Sequence, residues 1–183
     1  MTGITNSPWF FNGGELSGSG VLRTRRTLKD LEGIFADGTA FDAMPKDTVV
    51  YEVASLEPDA AGTPGGLYMG ITFLHPGKVG QEYFMTKGHF HLNSTSTEYY
   101  WVVRGEGMLI LMDEGRRTWA ETMKPGTLHY IRAGIAHRVA NTGRETLVFA
   151  ASWPSDAGHD YERIKREGFA ARLLEINGRP SLV

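Results

Sequence analysis

Thr86-Lys87-Gly88-His89-Phe90-His91, then Leu92-Asn93-Ser94-Thr95-Ser96-Thr97, then Glu98-Tyr99-Tyr100-Trp101-Val102-Val103 is the most constrained stretch of this chain. Side chains of an extended segment alternate between two faces, so His89 and His91 project to the same side and their imidazoles converge. Residues 92–97 are mostly polar and turn-prone, which predicts a hairpin loop returning the chain on the neighbouring strand. Glu98 opens that strand and faces the two histidines across the hairpin. Gly105-Glu106-Gly107 cuts the strand and permits another reversal.

A third imidazole lies downstream, in the segment from Pro125 to Asn141, where His137 completes a set of three imidazoles and one carboxylate. The chain has no cysteine, so disulfides and thiolate ligands are excluded, and a metal would be held by nitrogen and oxygen alone. Fe(II), Mn(II), Ni(II), Co(II) and Zn(II) all suit such donors, and the general affinity order does not choose among them. Four protein ligands on a six-coordinate ion leave two positions for water or adjacent substrate oxygens.

Around this stretch the pattern is one of short strands. Thr48–Val53, Leu67–Leu74, Glu98–Val103, Met108–Met112, Thr118–Met123, Thr127–Ile131, His137–Asn141 and Thr146–Ser152 alternate or run apolar, with glycine turns between them. Ala60 to Gly66, containing Pro64-Gly65-Gly66, is a turn. The whole predicts an all-β antiparallel sandwich or barrel. Ahead of it, Leu28, Leu31, Ile34 and Phe35 recur at helical intervals, which predicts a short amphipathic helix over Arg26–Phe35 with Thr27 as N-cap, lying as a lid on the barrel. Residues 1–24, rich in Gly, Ser and Asn and carrying Trp9-Phe10-Phe11, predict an arm over a surface. The organisation expected is an arm and helix over 1–46 and a barrel with a C-terminal extension over 47–183, in a single structural domain. Glu162 to Gly168 predicts a short helix, and Phe169 to Ile176 fits a strand or a helix.

Nineteen Lys and Arg against 21 Asp and Glu give no basic field for nucleic acid or an anionic membrane, which leaves a small-molecule or protein partner. No segment approaches the ~20 apolar residues of a membrane span. The N-terminus lacks the basic and apolar regions of a signal peptide, so a cytoplasmic location is expected.

His89, His91, Glu98 and His137 resemble the metal-binding motifs of the cupin superfamily, whose fold is a small double-stranded β-helix (jelly-roll) barrel. Gly126, Gly134, His137 and Asn141 fall at the spacing of the second motif, with Arg132 where a proline is usual. In the first motif six residues separate His91 from Glu98, and Tyr83 stands where a glycine usually does. Thr-x-Gly-His-x-His, a long loop, Glu-x-Tyr and a late His-x-Tyr together are similar to the cupin-type phosphoglucose isomerases, over roughly residues 48–170.

That resemblance implies a metal-dependent enzyme of glycolysis and gluconeogenesis interconverting glucose 6-phosphate and fructose 6-phosphate, with iron favoured at His89, His91, Glu98 and His137, and a homodimeric assembly. It implies that Thr72, Thr86, Gly88 and Tyr100 line the sugar-phosphate pocket and that His159 and Tyr161 close over it. Trp153 stands where the family can have a tyrosine, replacing a hydroxyl by an indole N–H. From the residues themselves, the Thr86 hydroxyl, Lys87 ammonium and Gly88 N–H are phosphate donors beside the metal motif, and Tyr100 shares the parity of Glu98. Thr72 reads on pattern alone as an ordinary strand threonine, and His129, which nothing pairs with the motifs, as structural.

Moving hydrogen between C1 and C2 of a sugar requires stabilising charge on their oxygens, which a bound cation does as a Lewis acid. Proton transfer through a cis-enediol needs a general base, for which Glu98 is placed; a metal-assisted hydride shift does not. A ligated Glu98 would be a weaker base, and both routes stay open. A metal-dependent dioxygenase would use the same four ligands, and a non-catalytic sugar-phosphate-binding barrel would keep them without turnover.

Overall fold

The computed structural model describes residues 3–183. In chain order the strands are β1 (Trp9–Asn12), β2 (Glu15–Gly18), β3 (Leu22–Thr27), β4 (Val49–Leu56), β5 (Leu67–Leu74), β6 (Lys78–Val79), β7 (Glu82–Tyr83), β8 (Glu98–Arg104), β9 (Gly107–Met112), β10 (Thr118–Met123), β11 (Leu128–Ile131), β12 (Ala136–Asn141), β13 (Leu147–Pro154), β14 (Leu173–Ile176) and β15 (Arg179–Leu182). The α-helices are α1 (Gly38–Asp42) and α2 (Tyr161–Glu167).

A six-stranded antiparallel sheet in the order β11-β8-β13-β5-β4-β3 faces a three-stranded one, β10-β9-β12. One buried cluster joins them, with Val50, Leu74, Val102 and Phe149 from the first sheet meeting Leu109, Leu111 and Val139 from the second. Alternation along β8 sets the sides. Glu98, Tyr100 and Val102 are buried, whereas Tyr99 is exposed and Trp101 half-buried. The outward face is covered in part by the β1–β2 hairpin, whose Leu16 is buried against Ala54, Ile71, Val148 and Ala150. Phe11 of the same hairpin meets Trp101 edge-on at 6.5 Å, so one of the three N-terminal aromatics packs on the sheet, while Phe10 is exposed.

The helix expected over Arg26–Phe35 is not formed. Arg26 and Thr27 close β3, paired to β4, and only Lys29–Leu31 make a single 3-10 turn. Thr27 caps nothing; its N–H and hydroxyl donate to Asp30 at 2.8 and 2.9 Å. The apolar side chains at helical spacing are nevertheless core, since Leu28 and Leu31 are fully buried and Phe35 stacks on Phe41 at 6.2 Å. Burial governs those positions, and truncating Leu31 to Ala would cost about 2–5 kcal/mol. Sheet pairing upstream and Gly33 at φ +82° leave a helix no room to extend. The region after Phe169, open on sequence grounds, is strand: β14 pairs with β15 and touches β7.

The hairpin expected between His91 and Glu98 is also replaced. Residues 84–89 run antiparallel to β12, with Thr86 N–H to the Val139 carbonyl at 2.8 Å and Asn141 N–H to the Phe84 carbonyl at 3.0 Å, so they extend the smaller sheet. β8 belongs to the larger sheet. Residues 92–97 are therefore a crossing between sheets, and Gly105–Gly107 is a second crossing, from β8 to β9. Turn-prone composition marks a reversal without saying which sheet receives the returning strand.

Candidate metal centre and its cavity

His89 and His137 form a reciprocal backbone pair, each donating its N–H to the other's carbonyl, at 3.2 and 3.0 Å. This pairing sets their side chains directly opposite, with ring centroids 4.3 Å apart. His91 lies two residues on and its ring is 5.2 Å from that of His137. Glu98 reaches in from β8 on the facing sheet. One ligand atom from each of the four residues lies within 4.8 Å of every other, and all four residues are buried.

The tautomers follow from backbone contacts. His91 Nδ1 is 3.2 Å from the Ser96 carbonyl and His137 Nδ1 is 3.1 Å from the Ile135 carbonyl. A carbonyl only accepts, so both Nδ1 atoms carry the proton and both Nε2 lone pairs point at the centre. His91 Nε2 sits 3.3 Å from Glu98 Oε2, and His137 Nε2 sits 3.0 Å from the same oxygen without hydrogen-bond alignment. Nε2 of His89 and of His137 are buried with no hydrogen-bond partner. Buried lone pairs facing a carboxylate require a cation between them. The donor set therefore fits a divalent metal ion.

Electrostatics point the same way. Burial holds His89 well below its ordinary value, with the neighbouring imidazoles adding to the shift, so the ring is neutral and available as a ligand. Burial opposes ionisation of Glu98, but the His137 and His91 imidazoles close beside its Oε2 outweigh it and hold the carboxyl below its usual range.

His89, Glu98 and His137 line a cavity of about 230 Å³, with His91 behind them. Thr72, Thr86, Lys87, Gly88 and Tyr100 all line it, as do His159, Tyr161 and Trp153. Tyr100 is a buried phenol, 5.7 Å from His137 between ring centroids, held well above its ordinary value by burial and then by Glu98. The Thr86 hydroxyl accepts the Val139 N–H at 3.0 Å, which locks the first motif to β12. Gly88 adopts φ +77°, and a Cβ there would meet Arg138 Nε at 2.9 Å and Phe169 at 3.0 Å. Lys87 Nζ lies 5.4 Å over the Tyr161 ring.

His159 and Tyr161 are fastened by the residue between them. Asp160 N–H donates to the Phe90 carbonyl at 2.8 Å, and its carboxylate accepts from Arg163 N–H, capping α2. The two rings stack, 5.4 Å apart and nearly parallel, with His159 4.3 Å from His89. Burial depresses His159 and raises Tyr161, so both are neutral near pH 7. Trp153 stands edge-on to His159 at 6.4 Å and covers Gly70.

His129 lies apart from this group, with Nδ1 2.7 Å from Glu121 and Nε2 3.0 Å from Thr127. Asn141 secures the end of the second motif: its amide donates to the Leu74 and Glu145 carbonyls, both at 2.8 Å. The sequence reading missed the wall formed by β3 and β4, where Thr24, Arg26, Tyr51, Val53 and Ser55 line the same cavity. Arg26 and Lys87 are its only cationic lining residues among those described. The signal was available as alternation in Leu-Arg-Thr-Arg-Arg-Thr, obscured by the helical spacing that follows it.

A double-sheet barrel whose interior gathers three imidazoles and a carboxylate defines a cupin with a cluster that could hold a metal ion. An oxalate oxidase structure is similar in fold, with a TM-score of 0.50 and 20% identity over 67% of this chain and 58% of that one. The family model described as glucose-6-phosphate isomerase (GPI) matches residues 25–181, and the chain belongs to that family. It is 43% identical to the glucose-6-phosphate isomerase of Thermococcus kodakarensis, covering 90% of this chain and 86% of that protein. It is 41% identical to that of Pyrococcus furiosus, covering 90% and 87%. To a putative glucose-6-phosphate isomerase 2 of Rhizobium meliloti it is 36% identical, covering 90% and 82%.

Proposed function

We propose that this chain interconverts glucose 6-phosphate and fructose 6-phosphate, with one divalent ion held by His89, His91, Glu98 and His137. The observation that carries the reading is the convergence of these buried donors, with two Nε2 atoms left without a partner, at a cavity of about 230 Å³ that three of them line. When bound, the ion would supply Lewis-acid polarisation of the C1 and C2 oxygens. The remaining work falls to the chain. Thr72, Thr86, the Gly88 N–H and Lys87 offer donors to the phosphate on one side, and Arg26 offers a guanidinium from the other. Tyr100, kept as a neutral phenol, donates to a sugar oxygen. His159, kept neutral, takes or returns a proton during ring opening, with Tyr161 orienting it by stacking.

Iron is the favoured ion by family resemblance, the location cytoplasmic, and the assembly a homodimer. The dimer is supported by the exposed Tyr99, Leu128 and Tyr130 on adjoining strands, with the Tyr99 and Tyr130 rings 5.0 Å apart. Light scattering tests it, and a monomer at micromolar concentration overturns it. No helix of the described residues is long and apolar enough to cross a membrane.

The deciding experiment is fructose 6-phosphate isomerisation by metal-stripped protein resupplied separately with Fe(II), Mn(II), Ni(II) and Zn(II). Turnover that returns with an ion supports the reading and ranks the ions. Metal binding without turnover under any of them removes it.

A further inference from the structure

A second cavity of about 710 Å³ adjoins the first, sharing Lys87 and Tyr161 as a common wall. It is bounded by the turn after β3, by Arg138 beside the metal-binding His137, by the end of α2 and by Arg172. Arg138 is the feature that needs explaining. It is only 7% exposed, and no carboxylate pairs with it. One η nitrogen donates to the Lys87 carbonyl at 2.9 Å, another approaches Met85 Sδ at 3.2 Å, and Nε has no partner. The guanidinium lies 4.1 Å over the Phe169 ring. A buried cation with no carboxylate paired directly to it is costly.

The acidic groups nearby are mostly engaged elsewhere. Glu82 binds Arg172 at 2.8 Å and the Ala36 N–H at 2.8 Å. Glu167 pairs with Arg166 at 2.7 Å and Arg163 at 3.5 Å, and Asp30 accepts from Thr27. Lys29, Lys87 and Lys165 line the same cavity and form no ion pair among the described residues, and Glu32 is the one acidic lining group without a partner. Four cations without an ion-pair partner thus face two carboxylates without one, Asp30 and Glu32, in a concave site.

We infer that this cavity is a second anion site, separate from the metal-lined one, that takes a small phosphate monoester. Its dianion meets Lys29 and Lys165 at the rim and the field of Arg138 and Lys87 within. The site is coupled to the metal cavity because the Lys87 backbone holds Arg138 while the Lys87 ammonium and the Tyr161 ring face both spaces. The inference stands on charge and shape and does not require the isomerase reading.

Calorimetric titration of inorganic phosphate into metal-loaded protein, compared between the wild type and variants at Lys29 and Lys165, isolates the outer site, because those two residues line it and not the substrate cavity. The wild type is expected to bind phosphate in the outer cavity. Lys29→Glu/Lys165→Glu, which reverses two exposed rim charges, should weaken that binding at least about tenfold while the KM for fructose 6-phosphate stays within about twofold. The neutral pair Lys29→Gln/Lys165→Gln should weaken it less, which separates a charge effect from misfolding. No phosphate binding to the wild type, or binding unchanged in the charge-reversal variant, overturns the inference.

Discussion

The two long walls of the metal cavity are built in different ways. On one, residues 84–89 lie against β12, and reciprocal backbone bonds fix His89 opposite His137 among groups that water barely reaches. On the other, β3 and β4 present Thr24, Arg26, Tyr51, Val53 and Ser55 by plain strand alternation, and Thr24 and Arg26 are exposed. The first wall holds chemistry that tolerates little displacement, and the second meets the hydrated end of a ligand. The difference predicts that damage to the first abolishes the reaction, whereas damage to the second changes which ligand binds and how tightly.

The largest effect belongs to the imidazole wall. His89→Ala or His137→Ala should empty the metal site and lower turnover on the order of 10³-fold or more, because each removes one nitrogen from a four-residue donor cluster. Metal analysis beside fructose 6-phosphate turnover checks this, and full metal content with full rate in either variant would show that the ligand set is wrong. On the opposite wall, Arg26→Ala should leave metal content intact and lower kcat/KM by about 10- to 150-fold through KM, the cost of one charged hydrogen bond to phosphate. If metal content fell as well, the two walls would not be independent.

That contrast also explains what was legible in the sequence. Imidazoles spaced two apart, a carboxylate and a distant imidazole are rare residue types in a rare order, so the metal centre could be read before its geometry was known. Its construction could not. The composition of residues 92–97 marks a turn, but whether the chain returns beside itself or crosses to the facing sheet depends on partners dozens of residues away. The β3 wall failed for a related reason. Leu28, Leu31 and Phe35 are buried as their spacing suggests, yet register with β4 claims Arg26 and Thr27 for the sheet. Tertiary pairing outweighs a local helical period worth only tenths of a kcal/mol per residue.

Gly88 tests how rigid the imidazole wall is. At φ +77°, with Arg138 Nε 2.9 Å from where a Cβ would sit, Gly88→Ala is both strained and crowded. It should destabilise the protein by about 1–3 kcal/mol, read from the thermal midpoint, with metal affinity falling in step because His89 is the next residue. An alanine variant with unchanged stability would mean that this wall yields, and that the contrast between the walls is overstated.

The smallest effect is the pH dependence of the metal-free protein, and its sign follows from burial. The ordinary value for His89 and His159 is 6.5, and burial depresses both in the folded state. Below about pH 6.5 the unfolded chain therefore takes up protons that the folded chain refuses, so stability is fully present above that pH and falls as the solution is acidified. Glu98 is depressed too, from 4.5, so its contribution is lost only in a lower and separate window. Urea denaturation of metal-free protein between pH 7.5 and 5.5 should show a decline on the order of 1 kcal/mol. His89→Gln should reduce the slope to the part that His159 contributes, since glutamine does not titrate, whereas Arg26→Ala on the other wall should leave it unchanged. A slope undiminished in His89→Gln would assign the acid sensitivity to groups outside the imidazole wall.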